Sequence, residues 1–307
     1  MNNVPEREWL TRLIEPALLA KLAEELPATA LWSVLLDVVA RRAQQRAVSS
    51  LARQWRDDRF VVPCAVDQRT LLELDCELFA AAQRFEAVEL SPLAPLGSSS
   101  AVALTSQNRV VATVRGTEVV SDPTNLLALE SAARLRRHPE TIVRLATSHR
   151  CVRAQELPKQ PGFTAHFRLF CLTTAGRQTS DRALLVDACL EHISVYLDAL
   201  QRLAALGYAF DELEVRLLAS PSCGDLARRI AAALPAVNIV HESLTRPYYA
   251  GLRFMINVRA PDGIDIPLID GGAFDWLHPL AANRKLVFVA SAIGPQLVAQ
   301  LFRLRAR

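Results

Sequence analysis

Two β-type segments face each other across a short loop near the middle of the chain. The first is SHRCVRAQ, residues 148 to 155, and the second is HFRLFCLTTAG, residues 166 to 176. The loop between them, ELPKQPG, contains two prolines and a glycine, which favour a turn. In the second segment Phe167, Leu169, Cys171 and Thr173 fall on one face, because side chains alternate along a strand. We predict a hairpin whose returning strand is either plain core or the base of a binding site.

The remaining patterns predict an α+β fold with a mainly antiparallel sheet. Strands are expected over residues 60–64, 109–116, 212–220, 236–244, 251–259 and 285–294, with a strand entering a loop at 87–100 and a further strand and turn at 266–277. Helices are expected over 69–84, after Asp122, over 180–206 ending at Gly207, over 224–234 and over 295–305. In the first of these helices we predict the following inward side chains: Leu71, Leu72, Leu74, Leu78 and Phe79. Neighbouring strands then pair through hairpins, with helices packed outside the sheet.

The first sixty residues form a helical extension to a core domain that spans residues 61–307. Apolar residues recur at helical spacing, Pro27 breaks the pattern, and a second helix is expected from about Leu31 to Trp55. Six arginines follow in or after this helix: Arg41, Arg42, Arg46, Arg53, Arg56 and Arg59. Either they contact an RNA backbone or they form an ordinary solvated helix face.

Composition excludes several classes of protein. The chain has 307 residues, 51% of them hydrophobic and 22% charged, which is typical of a folded protein and not of a disordered one. A net charge of +3 gives no general argument for nucleic acid. Six cysteines without a CxxC pair, and six histidines without an HxxxH pair, predict reduced, buried thiols and no metal site. No apolar run is long enough to span a membrane, so we expect a cytoplasmic protein.

Four segments in order resemble the catalytic core of class II aminoacyl-tRNA synthetases. They are VVSDPTNLLALESAARL, the hairpin CVRAQELPKQPGFTAHFRLFCLTTAG, RPYYAGLRF with IDGGAFDWL, and VASAIGPQLVAQLF. The second is similar to the motif 2 hairpin of that family, and the fourth stands in the place of motif 3. The resemblance is strongest to the histidyl-tRNA synthetases and to their paralogue, the regulatory subunit of ATP phosphoribosyltransferase. It covers about residues 65 to 305 and implies a class II synthetase-like fold.

The resemblance implies a set of site residues. Arg153 matches the motif 2 arginine that holds the α-phosphate of ATP, and Phe167 matches the aromatic residue that stacks on adenine. The remaining ligand-binding positions implied by the resemblance are Asp122, Thr124, Leu169, Thr173, Tyr248, Tyr249, Gly271 and Gly272. From the residues alone, Arg153 is equally a strand arginine paired with an acid, and Phe167 is equally a core side chain. ATP with Mg is the cofactor that the resemblance implies.

The same alignment shows where the chain departs from the family. Leu169 and Thr173 replace a glutamine and a glutamate that contact the substrate. Leu244 and Pro247 replace an arginine and an aspartate, and Leu297 replaces the motif 3 arginine, with Gln296 in place of the preceding acid. We expect these changes to weaken the binding of ATP, because an arginine opposite a phosphate stabilises its charge by about several kcal/mol. Arg246, Arg253 and Arg284 are candidates to replace the missing arginine.

Three functions are compatible with these residues. The first is a paralogue that does not charge tRNA and binds a small ligand, such as an amino acid or nucleotide, or a partner protein, in a regulatory role. The second is an ATP-dependent ligase that adenylates a more apolar amino acid or carboxylate for an acceptor other than tRNA. The third is a purely structural dimer. The resemblance also implies a homodimer, and the anticodon-binding domain of the family has no counterpart in the sequence, so we do not expect tRNA binding.

Overall fold

The computed structural model describes residues 13–157, 162–245 and 247–304. The helices in the described residues, numbered in chain order, are α1 (Pro16–Ala20), α2 (Ala28–Gln44), α3 (Val48–Asp57), α4 (Gln68–Ala81), α5 (Pro123–Arg137), α6 (Ala183–Ala205), α7 (Gly224–Ala232), α8 (Leu277–Ala281) and α9 (Pro295–Leu301). The strands are β1 (Glu86–Ala87), β2 (Leu93–Pro95), β3 (Thr117–Val119), β4 (Val143–Val152), β5 (His166–Arg177), β6 (Asp211–Ala219), β7 (Ile239–Ser243), β8 (Leu252–Arg259), β9 (Asp265–Phe274) and β10 (Leu286–Ile293).

Eight of these strands form one sheet in the order β1-β4-β5-β10-β9-β8-β6-β7. The two outer pairs, β1 with β4 and β6 with β7, are parallel, and the inner pairs are antiparallel. Strands β2 and β3 form a separate antiparallel pair. The predicted α+β fold with a mainly antiparallel sheet is confirmed, and the predicted hairpin is the pair β4–β5.

Each face of the large sheet packs against its own helices. Helices α4, α6 and α7 cover one face, where Phe170 and Leu172 of β5 are fully buried. Helices α5 and α8 cover the other face, where Cys171 is fully buried. The alternation predicted for the returning strand is therefore present, and both of its faces are in the core over this stretch.

The N-terminal helices bury no residue. Leu18, Val34, Val38 and Trp55 are all at least 46% exposed. One contact to the core is Trp32, whose indole lies against Gly116. Within the described extension, Arg41 pairs with Asp37, Arg56 pairs with Asp57, and Arg46 donates to Gln54. These local pairs favour the interpretation of the arginines as a solvated helix face. The division of the chain into two parts at residue 60 stays a prediction.

Several predicted elements are wrong in detail. Residues 60–64 form a turn and not a strand, and residues 109–116 contain only a short 3₁₀ turn and an isolated bridge at Ala112. Leu72 faces solvent, with 52% of its surface exposed. The single helix expected from Leu31 to Trp55 is two helices, α2 and α3. The predicted start of the N-terminal helical region before Leu13 lies outside the described residues.

Local patterns account for these errors. In the turn at 60–64 the aromatic and β-branched residues are typical of a strand, but the amides of Phe60, Val61 and Val62 all donate to Asp58. Leu72 follows Leu71, and adjacent positions on a helix face different directions. No helix among the described residues is long and apolar enough to cross a membrane.

Candidate functional site

A cavity of about 450 Å³ opens where the hairpin β4–β5 meets the end of β10. Its walls come from the hairpin, the middle of β9, the start of α5 and the start of α9. The predicted site residues that line it are Asp122, Thr124, Arg153, Phe167, Leu169, Tyr248, Tyr249 and Gly271. These positions are far apart in the sequence, so the sheet topology brings them together.

Asp122 and Arg153 form an ion pair at the edge of the cavity. Asp122 is the N-cap of α5, and its Oδ1 accepts from the amide and the hydroxyl of Thr124 at 3.0 and 2.7 Å. Its Oδ2 accepts from Nη2 of Arg153 at 3.3 Å. Nε of Arg153 donates to the carbonyl of Ser121 at 2.9 Å. The Asp122 side chain thus caps the N-terminus of α5 and also holds the guanidinium of Arg153.

Arg153 also packs on Phe167 of the returning strand. The guanidinium carbon lies 4.9 Å from the centroid of the phenyl ring, which is a cation–π contact. Both residues line the cavity, so neither is a fully buried core side chain. Among the described residues, Nε and Nη2 of Arg153 have hydrogen-bond partners and Nη1 has none.

A second acid–arginine pair lies on β8 and β9. Arg253 donates to both oxygens of Asp270, at 2.8 and 2.9 Å, in a bidentate arrangement. The hydroxyl of Tyr249 donates to Oδ1 of Asp270 at 2.8 Å, and Arg253 lies over the Tyr249 ring. Burial raises the pKa of Tyr249, and the charge of Asp270 raises it further. Arg253 is therefore held in an ion pair with Asp270, and it does not itself line the cavity.

The double glycine has a packing explanation. A Cβ on Gly271 would lie 2.4 Å from Cβ of Ser291, and a Cβ on Gly272 would lie 2.4 Å from the carbonyl oxygen of Leu252. On Gly272 it would also lie 2.7 Å from the ring of Tyr249. These distances are well inside van der Waals contact. The glycines permit the close strand approach that places Tyr249 over β9.

The start of α9 closes one end of the cavity with apolar atoms. Leu297, at the position that the resemblance assigns to the motif 3 arginine, lies against Gly162, where an added Cβ would be 2.6 Å from its Cδ1. Gln296 is 1% exposed, and its Nε2 donates to Oγ1 of Thr164 at 3.0 Å. Leu297 thus packs against the described end of the hairpin loop, with no cation at this position.

Not every predicted residue reaches the cavity. Thr173 is fully buried within β5, paired with Leu145 and Ala290, and does not line it. It lies four residues beyond Leu169, or about 13 Å along the strand, which places it beneath the helices. Gly272 does not line the cavity either, because Tyr249 covers it. Arg284 precedes β10 at its opposite end, and Arg246 lies outside the described residues.

Two charged cavity residues were missed by sequence reasoning. Asp270 immediately precedes the double glycine. Its position beside this motif, within a predicted strand, could have identified it as a site residue. Arg168 was assigned to the other face of β5, yet it also lines the cavity and pairs with Asp75 of α4. No local pattern links Arg168 to Asp75, because they are 93 residues apart.

The charged residues that line the cavity are compensated. Arg153 pairs with Asp122, Asp270 with Arg253, and Arg168 with Asp75. Among the described residues no group of three His, Cys, Asp or Glu side chains could hold a metal ion. A triphosphate with Mg requires surplus positive charge or acidic ligands for the metal. The described residues fit a base or a single anion, and they do not fit the triphosphate of ATP with Mg.

A buried polar network lies beneath the cavity. Ser291, which lines it, is 2.7 Å from Nδ1 of His192, and Nε2 of His192 is 3.0 Å from Oγ1 of Thr174. Ser291 also donates to the hydroxyl of Tyr196 at 3.2 Å. Burial, together with a smaller effect of the charge of Arg144, lowers the pKa of His192 to about 3. The imidazole is therefore neutral and has a structural part in this network.

Solved class II structures share this fold. Histidyl-tRNA synthetase of S. aureus aligns with a TM-score of 0.56 and 12% identity over 75% of this chain and 64% of that one. A Bacillus halodurans C protein described as an ATP phosphoribosyltransferase regulatory subunit/histidyl-tRNA synthetase aligns with a TM-score of 0.55 and 14% identity over 77% of this chain and 81% of that one. A histidine–tRNA ligase subunit from Alicyclobacillus acidocaldarius aligns with a TM-score of 0.56 and 14% identity over 77% of this chain and 96% of that one. No family model and no curated protein matches the sequence. The chain thus spans under two thirds of the S. aureus synthetase, and the likeness establishes the fold.

Proposed function

The chain has the fold of the class II aminoacyl-tRNA synthetase catalytic core, and from this premise we propose that it does not charge tRNA and instead binds a small ligand in a regulatory role. The ligand occupies the cavity beside Arg153 and Phe167. Its chemistry is that of an amino acid, a nucleotide fragment or a related small molecule with one anionic group and an apolar or aromatic part.

The compensated charge of the cavity carries this proposal. With each charged lining residue already paired, a multiply charged ligand gains little, since one free arginine donor is present to hold an anion. Leu297 at the cavity end adds apolar surface where ATP would need a cation. Apolar walls with a few convergent polar groups are typical of small-molecule sites.

Pyrophosphate exchange tests the proposal directly. The purified chain is incubated with ATP, Mg, labelled pyrophosphate and a panel of amino acids and other carboxylates. We expect no exchange with any of them, and we expect stabilisation by at least one small carboxylate in a parallel thermal-shift screen. Exchange with any member of the panel would overturn the non-catalytic proposal.

The alternative is a ligase that adenylates an apolar carboxylate for an acceptor other than tRNA. Arg153 favours it, because this residue lines the cavity and its Nη1 has no hydrogen-bond partner among the described residues, so that it could donate to a phosphate oxygen. Calorimetry with ATP discriminates between the two. Binding of ATP that is lost in Arg153→Ala and kept in Arg177→Ala supports the ligase, since Arg177 pairs with Glu140 away from the cavity.

We also infer a homodimer in the cytoplasm, by analogy with class II cores, and a protein partner for the regulatory role. Neighbours of this fold include a protein described as a regulatory subunit, which supports the partner. Light scattering of the purified chain measures the first of these inferences directly. A strictly monomeric mass across the accessible concentration range would contradict the homodimer. It would also exclude the third candidate function, that of a purely structural dimer.

A further inference from the structure

A turn between α3 and α4 joins the N-terminal helices to the cavity hairpin. In this turn Oδ1 of Asp58 accepts from the amide of Phe60 at 2.9 Å. The carbonyl of Asp58 accepts from the amides of Val61 and Val62, both at 3.0 Å. Residues Asp58–Val62 therefore form a hydrogen-bonded unit with a shape of its own, which we call the clamp turn.

Arg59 of the clamp turn contacts the hairpin just beyond the end of β4. Its Nη1 donates to the carbonyl of Gln155 at 3.1 Å, and its Nη2 donates to the carbonyl of Ala154 at 3.0 Å. The planar guanidinium presents two fixed donors, so consecutive carbonyls are held in one orientation. The ring of Phe60 lies beneath the same guanidinium, at 4.7 Å. Ala154 directly follows Arg153, and Gln155 lines the cavity.

Val62 of the clamp turn contacts the second strand. The carbonyl of Val62 lies 2.7 Å from Nε2 of His166, and Nη1 of Arg150 lies 3.0 Å from Nδ1 of the same ring. Because an arginine nitrogen only donates, Nδ1 accepts and Nε2 carries the hydrogen. His166 therefore donates to Val62, in the neutral tautomer. His166 directly precedes Phe167.

The clamp turn thus holds the main chain beside Arg153 and beside Phe167. We propose that Arg59 is a positioning residue of the cavity, which sets the distance between Arg153 and Phe167 and lets the N-terminal extension tune ligand binding. The part that concerns ligand binding rests on the proposed function, whereas the part that concerns the hairpin does not.

Arg59 should affect the local geometry of the hairpin and have little effect on the stability of the whole fold. Its side chain is exposed, and the N-terminal helices bury no residue among those described, so the contact adds little to the core. Arg56 is the matched control. It lies three residues earlier, carries the same charge, and its observed pairing is with the neighbouring Asp57.

Hydrogen exchange of the full-length chain tests the proposal without a ligand. We expect amides in residues 148–155 and 164–170 to exchange about tenfold faster in Arg59→Ala than in the wild type, since removal of a clamp increases local opening. Arg59→Lys, which keeps the charge but carries all its donors on one nitrogen, should restore part of the protection, and the melting temperature should move little. Unchanged exchange, or equal acceleration in Arg56→Ala, would overturn the proposal.

Titration with 3-phenylpropanoate, an apolar aromatic carboxylate, adds the ligand readout. We expect its affinity to fall about fivefold or more in Arg59→Ala and to be unchanged in Arg56→Ala. Equal affinity in Arg59→Ala and the wild type would overturn the effect on ligand binding. If the wild type does not bind this probe, the chemistry proposed for the ligand fails, and the exchange result still decides whether Arg59 positions the hairpin.

Discussion

The guanidinium of Arg153 lies over the ring of Phe167, with its carbon 4.9 Å from the ring centroid. Asp122 and the carbonyl of Ser121 hold the same guanidinium from the other side. A ligand that stacks on Phe167 therefore contacts a ring that already forms a cation–π contact with Arg153. This arrangement favours an anionic group next to an aromatic or apolar part, because one wall then offers a charged donor and the other a flat apolar surface.

Removal of Arg153 should weaken ligand binding. In a thermal-shift and calorimetric screen of small carboxylates, we expect Arg153→Ala to lose about tenfold or more in affinity, since a hydrogen bond to a charged group contributes about 1.5–3 kcal/mol. Arg177→Ala removes an exposed arginine from the far end of β5 and should bind as the wild type does. Equal affinity in the two variants would refute the assignment of Arg153 to the ligand.

Alanine at either position of the double glycine should destabilise the protein strongly. The added Cβ would lie 2.4 Å from Ser291 in Gly271→Ala and 2.4 Å from the Leu252 carbonyl in Gly272→Ala. We expect a loss of about 2–3 kcal/mol or more in the free energy of unfolding, measured with urea. Gly224→Ala is the control, since its nearest neighbour is 3.9 Å away and helix α7 favours alanine. A loss below about 0.5 kcal/mol at either of the paired sites would contradict this explanation.

Acid should destabilise the protein through His192. Its pKa is lowered to about 3 in the folded state and lies near 6.5 in the unfolded chain. Between these two values the unfolded state binds a proton that the folded state does not, so stability falls as the pH falls through 6.5 towards 3. The slope from this group is at most about 1.4 kcal/mol per pH unit.

Urea unfolding at about pH 7.5 and about pH 5 measures that slope. His192→Gln should reduce the difference in the free energy of unfolding between the two pH values. The comparison uses the change with pH and not the absolute stability, so a destabilised variant remains informative. Identical slopes in His192→Gln and the wild type would show that another group is responsible.

Three thiols should be protected in the folded protein. Cys151, Cys171 and Cys189 are buried, and burial raises the pKa of each, to about 12 for Cys189. The thiolate is the reactive form, so these groups should not react with a disulfide reagent until the protein unfolds. Cys76 is exposed and should react first, and Cys76→Ser should remove that fast reaction. Rapid native labelling of Cys171 would contradict the burial.

Local patterns were sufficient for the hairpin and for the fold class. The alternation in residues 166–176 correctly separated Phe170 and Leu172 from Cys171, because a strand places successive side chains on opposite faces wherever it lies. The same reasoning was wrong for residues 60–64, where β-type residues form a turn. Short apolar runs do not reveal whether their backbone amides bond within the segment or to a neighbouring strand.

The site was only partly accessible to sequence reasoning. Arg153, Phe167 and Asp122 were placed through the resemblance, and the structure brings all three to one cavity. Thr173 was placed by alternation on the correct face, but alternation does not say how far the cavity extends along a strand. Asp270 and Arg253 were not paired in advance, since the pairing depends on the register of two strands.

The sequence by itself determined the fold class and the two-faced hairpin β4–β5. Those properties depend on neighbours within a few positions. Only the tertiary structure decided that the cavity charges are compensated and that Arg59 holds the carbonyl of Ala154, 95 residues later in the chain. Such contacts form when distant segments pack together, and their distances depend on sheet register and helix placement, which no local pattern encodes.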